Sequence, residues 1–379
     1  MKNKILIFID WFSPGYKAGG PIQSISNFVN HFADEFEITI VTSNKDLGDA
    51  EPYKNIECNQ WIKKEKYRII YLNKKHQNRK FYRSLVKEQH YDTFYFNSLF
   101  SARFTLLPML VAFKEKKRVV LAPRGMLGAG ALAISKRKKQ LFLSLFKLSG
   151  FPKKIIWQVT AETERGEVKQ HFGEKSRVFM VPNLSAKMSL KMPRKIKVKK
   201  ELNLFFLSRI SPKKNLKAAL AYLASVKEEF KVSFSIIGPI GDETYWEECL
   251  QLIEKLPKNI TVHQAGAIPN IELPKTLQDQ QVLLLPTFHE NFGHVIMESF
   301  QSGCPVILSN HTPWIALENK KIGWDISLDK PQKFVKAIEK MANMDQDEFN
   351  EWSLNAFHFA KTNSNNAVII DAYRKLFKG

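Results

Sequence analysis

Two glutamates, Glu290 and Glu298, stand with seven residues between them around the run Asn291-Phe292-Gly293. Earlier in the chain two cations, Arg209 and Lys214, stand with four residues between them around Ser211-Pro212. Carboxylates so spaced can accept hydrogen bonds from hydroxyls, as an acidic residue does for a ribose in dinucleotide folds. An arginine and a lysine on either side of one turn can reach a single phosphate group. The bland alternatives are a surface and a half-buried glutamate on an ordinary helix, and two exposed cations in a basic protein.

The elements that must hold these residues are legible around them. Residues 281–285 are an apolar run of strand length bounded by Pro286, followed by a polar turn, Gly293 and a helically spaced run over 294–301. Ser302-Gly303 stops that helix, and 304–308 reads as the next buried strand. A strand, turn and helix of this kind offer unpaired N–H groups and a positive dipole end to an anion. His294, first in the helix, is either a phosphate contact through its backbone or an exposed residue. Residues 204–207 likewise form a strand, 208–215 a turn with Pro212 in the first helical turn, and 216–227 a helix. Near the start, strand 5–9, the breaker-rich loop 11–21 with Gly19 and Gly20, and a helix through Ile22, Ile25, Phe28, Val29 and Phe32 repeat the pattern. Strand 93–96 ends at Asn97. Strand 119–122 runs into Pro123-Arg124-Gly125-Met126-Leu127, so Arg124 either holds a phosphate or caps carbonyls. Thr160-Ala161-Glu162-Thr163 suits a capping box.

With 379 residues, 44% apolar and 12% aromatic, the chain has room for two globular domains. Its apolar runs are too short to cross a bilayer, and Asp10 interrupts the one that imitates a signal peptide. Cys58, Cys249 and Cys304 lack metal-type spacing and fit a reducing, cytoplasmic setting. The net charge of +21 calls for a nucleic acid, an anionic lipid or a phosphorylated substrate. Basic clusters at 114–118, 136–139, 153–154 and 194–200 come without a zinc-finger, helix-turn-helix or RNP-type motif. Over 136–148, Leu141, Phe142, Leu145, Phe146 and Leu148 share one side of a helix and lysines another, as in a membrane-surface element or a core-facing stripe. No Gly-x-Gly-x-x-Gly follows a strand, as a nicotinamide dehydrogenase would need, and Asp345-x-Asp347 reads as a helix cap rather than a metal pair.

Glu290 to Glu298 around Asn291-Phe292-Gly293, with Pro286 and Gly303-Cys304-Pro305-Val306 in register, resembles the signature of retaining glycosyltransferases of family four (glycosyl transferases group one). The Pro123 to Leu127 segment resembles members that assemble bacterial surface polysaccharides. The resemblance implies an α/β GT-B fold: two doubly wound Rossmann-like domains facing across a cleft, with the last helix crossing back. It places an acceptor-binding domain at 1–183 with 364–379, a linker at 184–200 and a nucleotide-sugar domain at 201–363. It implies a transferase taking a UDP- or GDP-type sugar to a growing glycan; no metal, cofactor or nucleic-acid partner is expected, and the basic helix over 136–148 together with Arg124 points to a lipid-diphosphate-linked acceptor at the inner face of the membrane. Arg209 and Lys214 would hold the diphosphate and Glu290 the sugar hydroxyls. Asn291, Phe292, Gly293 and His294 would assist through their backbone, Glu298 would bind the ribose, and Ile268 would lie in a loop, 265–268, beside the base. Gly19 and Gly20 would approach the donor phosphate, and Asn97 and Arg124 the acceptor. Such members write His-Ala-Thr where this chain has Gln158-Val159-Thr160, so position 158 receives no role. The rival readings are a polyanion-binding protein, which leaves the glutamate pair unexplained, and another GT-B enzyme such as a sugar-nucleotide epimerase. A phosphorylase would need a cofactor lysine site that the sequence does not offer.

Overall fold

A computed structural model describes residues 2–133, 135–188 and 191–378. Two compact units divide the chain: residues up to Leu184 together with those from Asn366 on form one, and Ser185–Asn365 the other.

The strands of the first unit are β1 (Asn3–Phe8), β2 (Phe36–Ser43), β3 (Trp61–Lys63), β4 (Arg68–Leu72), β5 (Thr93–Phe96), β6 (Arg118–Leu121), β7 (Ile156–Val159) and β8 (Arg177–Met180). They lie in the order β3-β4-β2-β1-β5-β6-β7-β8, parallel except for the β3–β4 pair. Successive residues of β1 serve opposite faces: Ile5 and Ile7 join one core, Leu6 and Phe8 the other. Both faces are covered, so the strands read as unbroken apolar runs rather than alternating ones. Helix Gly20–Phe32 starts at Gly19, whose φ of 67° and ψ of −121° suit glycine, and buries Ile22, Ile25, Phe28, Val29 and Phe32. The last helix, Ala367–Lys378, belongs to this unit. Tyr373, Leu376 and Phe377 enter its core, with the Phe28 and Phe377 rings 5.0 Å apart, and Arg374 pairs with Glu35 at 2.7 Å.

In the second unit β9 (Glu201–Leu207), β10 (Lys231–Ile237), β11 (Ile260–Gly266), β12 (Val282–Leu285), β13 (Val306–Ser309) and β14 (Gly323–Ile326) form a parallel sheet in the order β11-β10-β9-β12-β13-β14. Each sheet therefore has a switch point, where the chain leaves one side of its first strand and returns on the other. It lies between β1 and β5 in the first unit and between β9 and β12 in the second. Ligands of doubly wound sheets bind at the carboxyl edge of such points.

Three local readings change. The stripe on helix Lys136–Leu148 divides: Leu143 and Phe146 face the core, and Leu141, Leu145 and Leu148 are 63%, 58% and 83% exposed. Stacking of Phe142 on Phe146 at 5.4 Å and contact of Phe100 with Phe142 at 5.2 Å fix that rotation. Thr160 forms no capping box, because helix Glu162–Phe172 starts from Ala161; instead the buried Glu164 carboxylate reaches back to Thr160 N at 2.7 Å and Gly125 N at 2.6 Å. In the stretch read as a linker, Ser189 and Leu190 lie outside the described residues. Further on, Lys195 donates to Leu277 O, and Lys197 to the carbonyls of Val198, Glu201 and Ala342. Burial lowers the Lys197 ammonium to about 8.

Candidate active site

At the switch point of the second sheet two loops meet. The loop after β9 carries Arg209 and Lys214; the loop after β12 carries Glu290. They are zipped by backbone and amide bonds: Phe288 N and Thr287 Oγ1 both donate to Lys213 O, at 2.9 and 3.1 Å, and Asn215 Nδ2 donates to Pro286 O at 3.0 Å. This seam brings Lys214 Nζ onto Glu290 Oε1, so the cation expected at a phosphate and the carboxylate expected at sugar hydroxyls form an ion pair with each other. The stem of Arg209 lies over Gly241, where a Cβ would come within 2.5 Å of Arg209 Cδ. Only a residue without a side chain leaves it room.

Beyond Glu290 the chain is held from outside the loop. Glu290 N donates to His311 O at 3.0 Å, and Trp314 Nε1 to Phe292 O at 2.6 Å. The Phe292 ring packs edge-on against Trp314 and His294. Gly293 takes φ 74° at the start of helix His294–Gln301, where a Cβ would meet Ile296 Cδ1 at 2.6 Å. That combination leaves glycine as the fitting residue. One turn on, Glu298 is part-buried, and among the described residues its carboxylate has no charge or hydrogen-bond partner. Burial alone pushes its pKa up to about 7.

The loops are short of negative charge. Partial desolvation and the neighbouring Lys214 lower the Lys213 pKa, and desolvation and Lys213 lower that of His289. An anion would relieve both. Lys213, His289 and Trp314 were not among the expected residues; the doubled Lys213-Lys214 was the one signal in the sequence. Ile268 packs partly against the core of this unit, but Ala265 and Gly266 belong to β11 rather than to the loop expected there, and Gly266 O accepts from Gly238 N at 2.8 Å.

The carboxyl edge of the first sheet presents Gly19, Gly20, Asn97 and Arg124. Arg124 takes φ 55° just past β6. The sequence reading left its fork open to a phosphate; the structure engages it. Nη1 bonds Asn183 Oδ1, and Nη2 donates to Tyr95 Oη and Asn97 Oδ1, both at 2.8 Å. Asn97 is 2% exposed. Buried without partners are Asn97 Nδ2 and Arg124 Nε. Beneath them Gln158 accepts from Tyr95 Oη at 2.5 Å and donates to Tyr373 Oη at 3.0 Å, tying the last helix to Arg124.

A family model described as glycosyl transferases group 1 matches residues 189–358. The chain is 26% identical over 109 residues to O-antigen chain mannosyltransferase B of Escherichia coli, covering 28% of each chain. It is 32% identical over 112 residues to an uncharacterized 41.2 kDa protein in the cps region of Klebsiella pneumoniae, covering 30% of this chain and 28% of that one. The matched stretches thus span 28% of the length of these curated relatives. Among solved structures, sucrose-phosphate synthase from Thermosynechococcus elongatus superposes with a TM-score of 0.71 at 14% identity over 100% of both chains. WaaG, a glycosyltransferase involved in lipopolysaccharide biosynthesis, gives 0.69 at 14% identity over 99% of this chain and 100% of that one. Anabaena Alr3699/HepE in complex with UDP and glucose gives 0.67 at 14% identity over 99% and 98%. At such identities the likeness speaks to the fold, two parallel-sheet α/β units of GT-B type.

Proposed function

We propose that this chain, whose residues 189–358 form a glycosyl transferases group 1 domain, is a retaining glycosyltransferase of surface-polysaccharide assembly. It moves a sugar from a nucleoside diphosphate of the UDP or GDP type to a growing, lipid-linked glycan of a capsule, exopolysaccharide or O-antigen. The observation that carries this reading is the gathering of Arg209, Lys214 and Glu290 at the switch point of the second sheet. HepE, of like fold, was solved with UDP and glucose, and the curated relatives bear O-antigen and cps names.

As the glycosidic bond breaks, negative charge grows on the departing diphosphate and must meet preorganised donors. In this reading Arg209, Lys214 and the helix start at Gly293-His294 supply them, so no metal is assigned a part. Arrival of the diphosphate draws Lys214 toward it and releases Glu290 to the hydroxyls of the donor sugar, while Asn291 and Phe292 offer backbone N–H groups. The unpaired Glu298 takes the ribose hydroxyls, and Ile268 lies beside the base. The acceptor enters on the same face as the leaving group, which is what retention requires, and no second carboxylate is obliged to act as nucleophile. Gly19 and Gly20 approach the donor phosphate with a bare backbone. Asn97 and Arg124 line the acceptor side through the two N–H groups they leave without partners. The protein works in the cytoplasm at the inner face of the membrane, held there by the basic helix Lys136–Leu148.

Melting the protein with UDP-, GDP-, ADP- and dTDP-sugars tests the donor assignment. One nucleotide class should raise the melting temperature by mass action, without added metal. The shift should disappear in Arg209→Ala and Glu298→Ala. Silence across the panel would sink the assignment and leave a polyanion partner as the better explanation of the charge.

A further inference from the structure

The carboxyl edge of the first sheet holds one group that the donor chemistry leaves unused. Past β1 the backbone stays registered with β2: Ile9 N donates to Val41 O and Ser43 N to Asp10 O, both at 3.2 Å. Asp10 is thereby fixed beside the switch point between β1 and β5. Its Oδ1 accepts from Ser101 Oγ at 2.6 Å, and that hydroxyl in turn accepts from Phe104 N at 3.0 Å. Ser101 thus accepts from Phe104 N and gives its one proton to Asp10. No lysine, arginine or histidine among the described residues pairs with this carboxylate, in a chain of net charge +21. Burial raises its pKa, while Ser101 and its own backbone amide lower it. A part-buried carboxylate without a cation costs stability, and a costly unpaired group at a ligand edge is the mark of a site. At the end of the adjacent strand, the buried Asn97 Nδ2 is a donor without a partner.

We infer that Asp10 is the acceptor site's hydroxyl-binding carboxylate: it accepts the hydrogen bond of the glycan hydroxyl that receives the sugar, with Asn97 Nδ2 the donor to an oxygen of the same ring. The inference rests on the transferase reading and deepens its acceptor side. The lone pairs Ser101 leaves open on the carboxylate orient the hydroxyl oxygen for attack. Glu298 is the counterpart in the second unit, also a part-buried carboxylate without a cation.

The test compares the full chain with Asp10→Asn. Nucleotide release from UDP-glucose and GDP-mannose is followed with and without a panel of p-nitrophenyl hexosides, and both proteins are melted near pH 8. The variant should lose about 100-fold in acceptor-stimulated release and melt about 2 °C higher because an uncompensated charge is gone. An active wild type with an equally stimulated variant overturns the role of Asp10 alone. A variant that melts lower than wild type also overturns it, since Asp10 would then be a structural partner of Ser101. A wild type inert with both nucleotide sugars overturns the transferase reading and, with it, the ligand assigned here. If no hexoside stimulates release, the melting comparison decides.

Discussion

Glu290 and Glu298 lie on one loop–helix unit in opposite surroundings. Glu290 has Lys214 against it; Glu298 has only burial. The sign of the consequence follows from linkage. An acid whose folded pKa is raised, here from an ordinary 4.5 to about 7, binds its proton more tightly when folded. Its contribution to stability is full below pH 4.5 and is lost as pH rises through 7. Discounted for partial exposure, the loss is on the order of 2 kcal/mol. Glu298→Gln should therefore be more stable than wild type at about pH 8 and equal to it at low pH, while binding nucleotide at least about 10-fold more weakly. Urea unfolding at a series of pH values checks this, and a pH-independent difference between the two proteins would count against it. The pairing of Lys214 with Glu290 was not legible in the sequence. The two residues lie on loops after β9 and β12, strands that become neighbours only because β10 and β11 are laid on the other side. Local spacing could place each residue at the end of a strand; it could not place the two loops side by side. Likewise nothing in Asn97 or Arg124 announced that Tyr95, Gln158 and Asn183 would engage the fork.

Helix Lys136–Leu148 shows the same limit one level up. Its bounds follow from periodicity, but a basic helix with six apolar positions offers more than one stripe, and only the surface beneath chooses between them. Phe100, Phe151 and Phe172 take Phe142 and Phe146 inward, which leaves Leu141, Leu145 and Leu148 outward at helical spacing. No Asp or Glu occurs between Glu115 and Glu162, a stretch with eleven lysines and arginines. Outward leucines among uncompensated cations suit an anionic lipid surface, where each basic residue contributes about 1 kcal/mol and each leucine a similar amount by entering the acyl boundary. Replacing Leu141, Leu145 and Leu148 together by serine should cut sedimentation with phosphatidylglycerol vesicles by about 100-fold while leaving the melting temperature within about 2 °C, since none of the three is buried. Neutral phosphatidylcholine vesicles should bind neither protein well. Equal binding of the triple variant and wild type to the anionic vesicles would leave the leucines without this role.

At the scale of the molecule, each sheet carries its own core and its own switch point, and the chain closes the first unit only at its end. The residues proposed for the donor, apart from Gly19 and Gly20, lie within Ser185–Asn365, as do all strands of the second sheet. A fragment of residues 185–365 should fold cooperatively and keep nucleotide binding within about 10-fold of the whole chain. The first unit behaves differently when cut by sequence alone. Residues 2–184 without the last helix lose Tyr373, Leu376 and Phe377 from a core shared with Phe28, Phe32, Phe36 and Tyr95, and lose the Arg374–Glu35 pair. Losing one large buried aromatic costs about 3–5 kcal/mol, and a domain of this size has a net stability on the order of 10 kcal/mol. Removing three large side chains therefore consumes the margin, and Gln158 also loses the Tyr373 hydroxyl that helps hold it beneath Tyr95 and Arg124. The 2–184 fragment should be insoluble or bind a hydrophobic dye strongly, and a peptide of residues 366–379 added in trans should restore a cooperative thermal transition. A 2–184 fragment that melts cooperatively by itself would show that the last helix is an accessory to that core rather than a part of it.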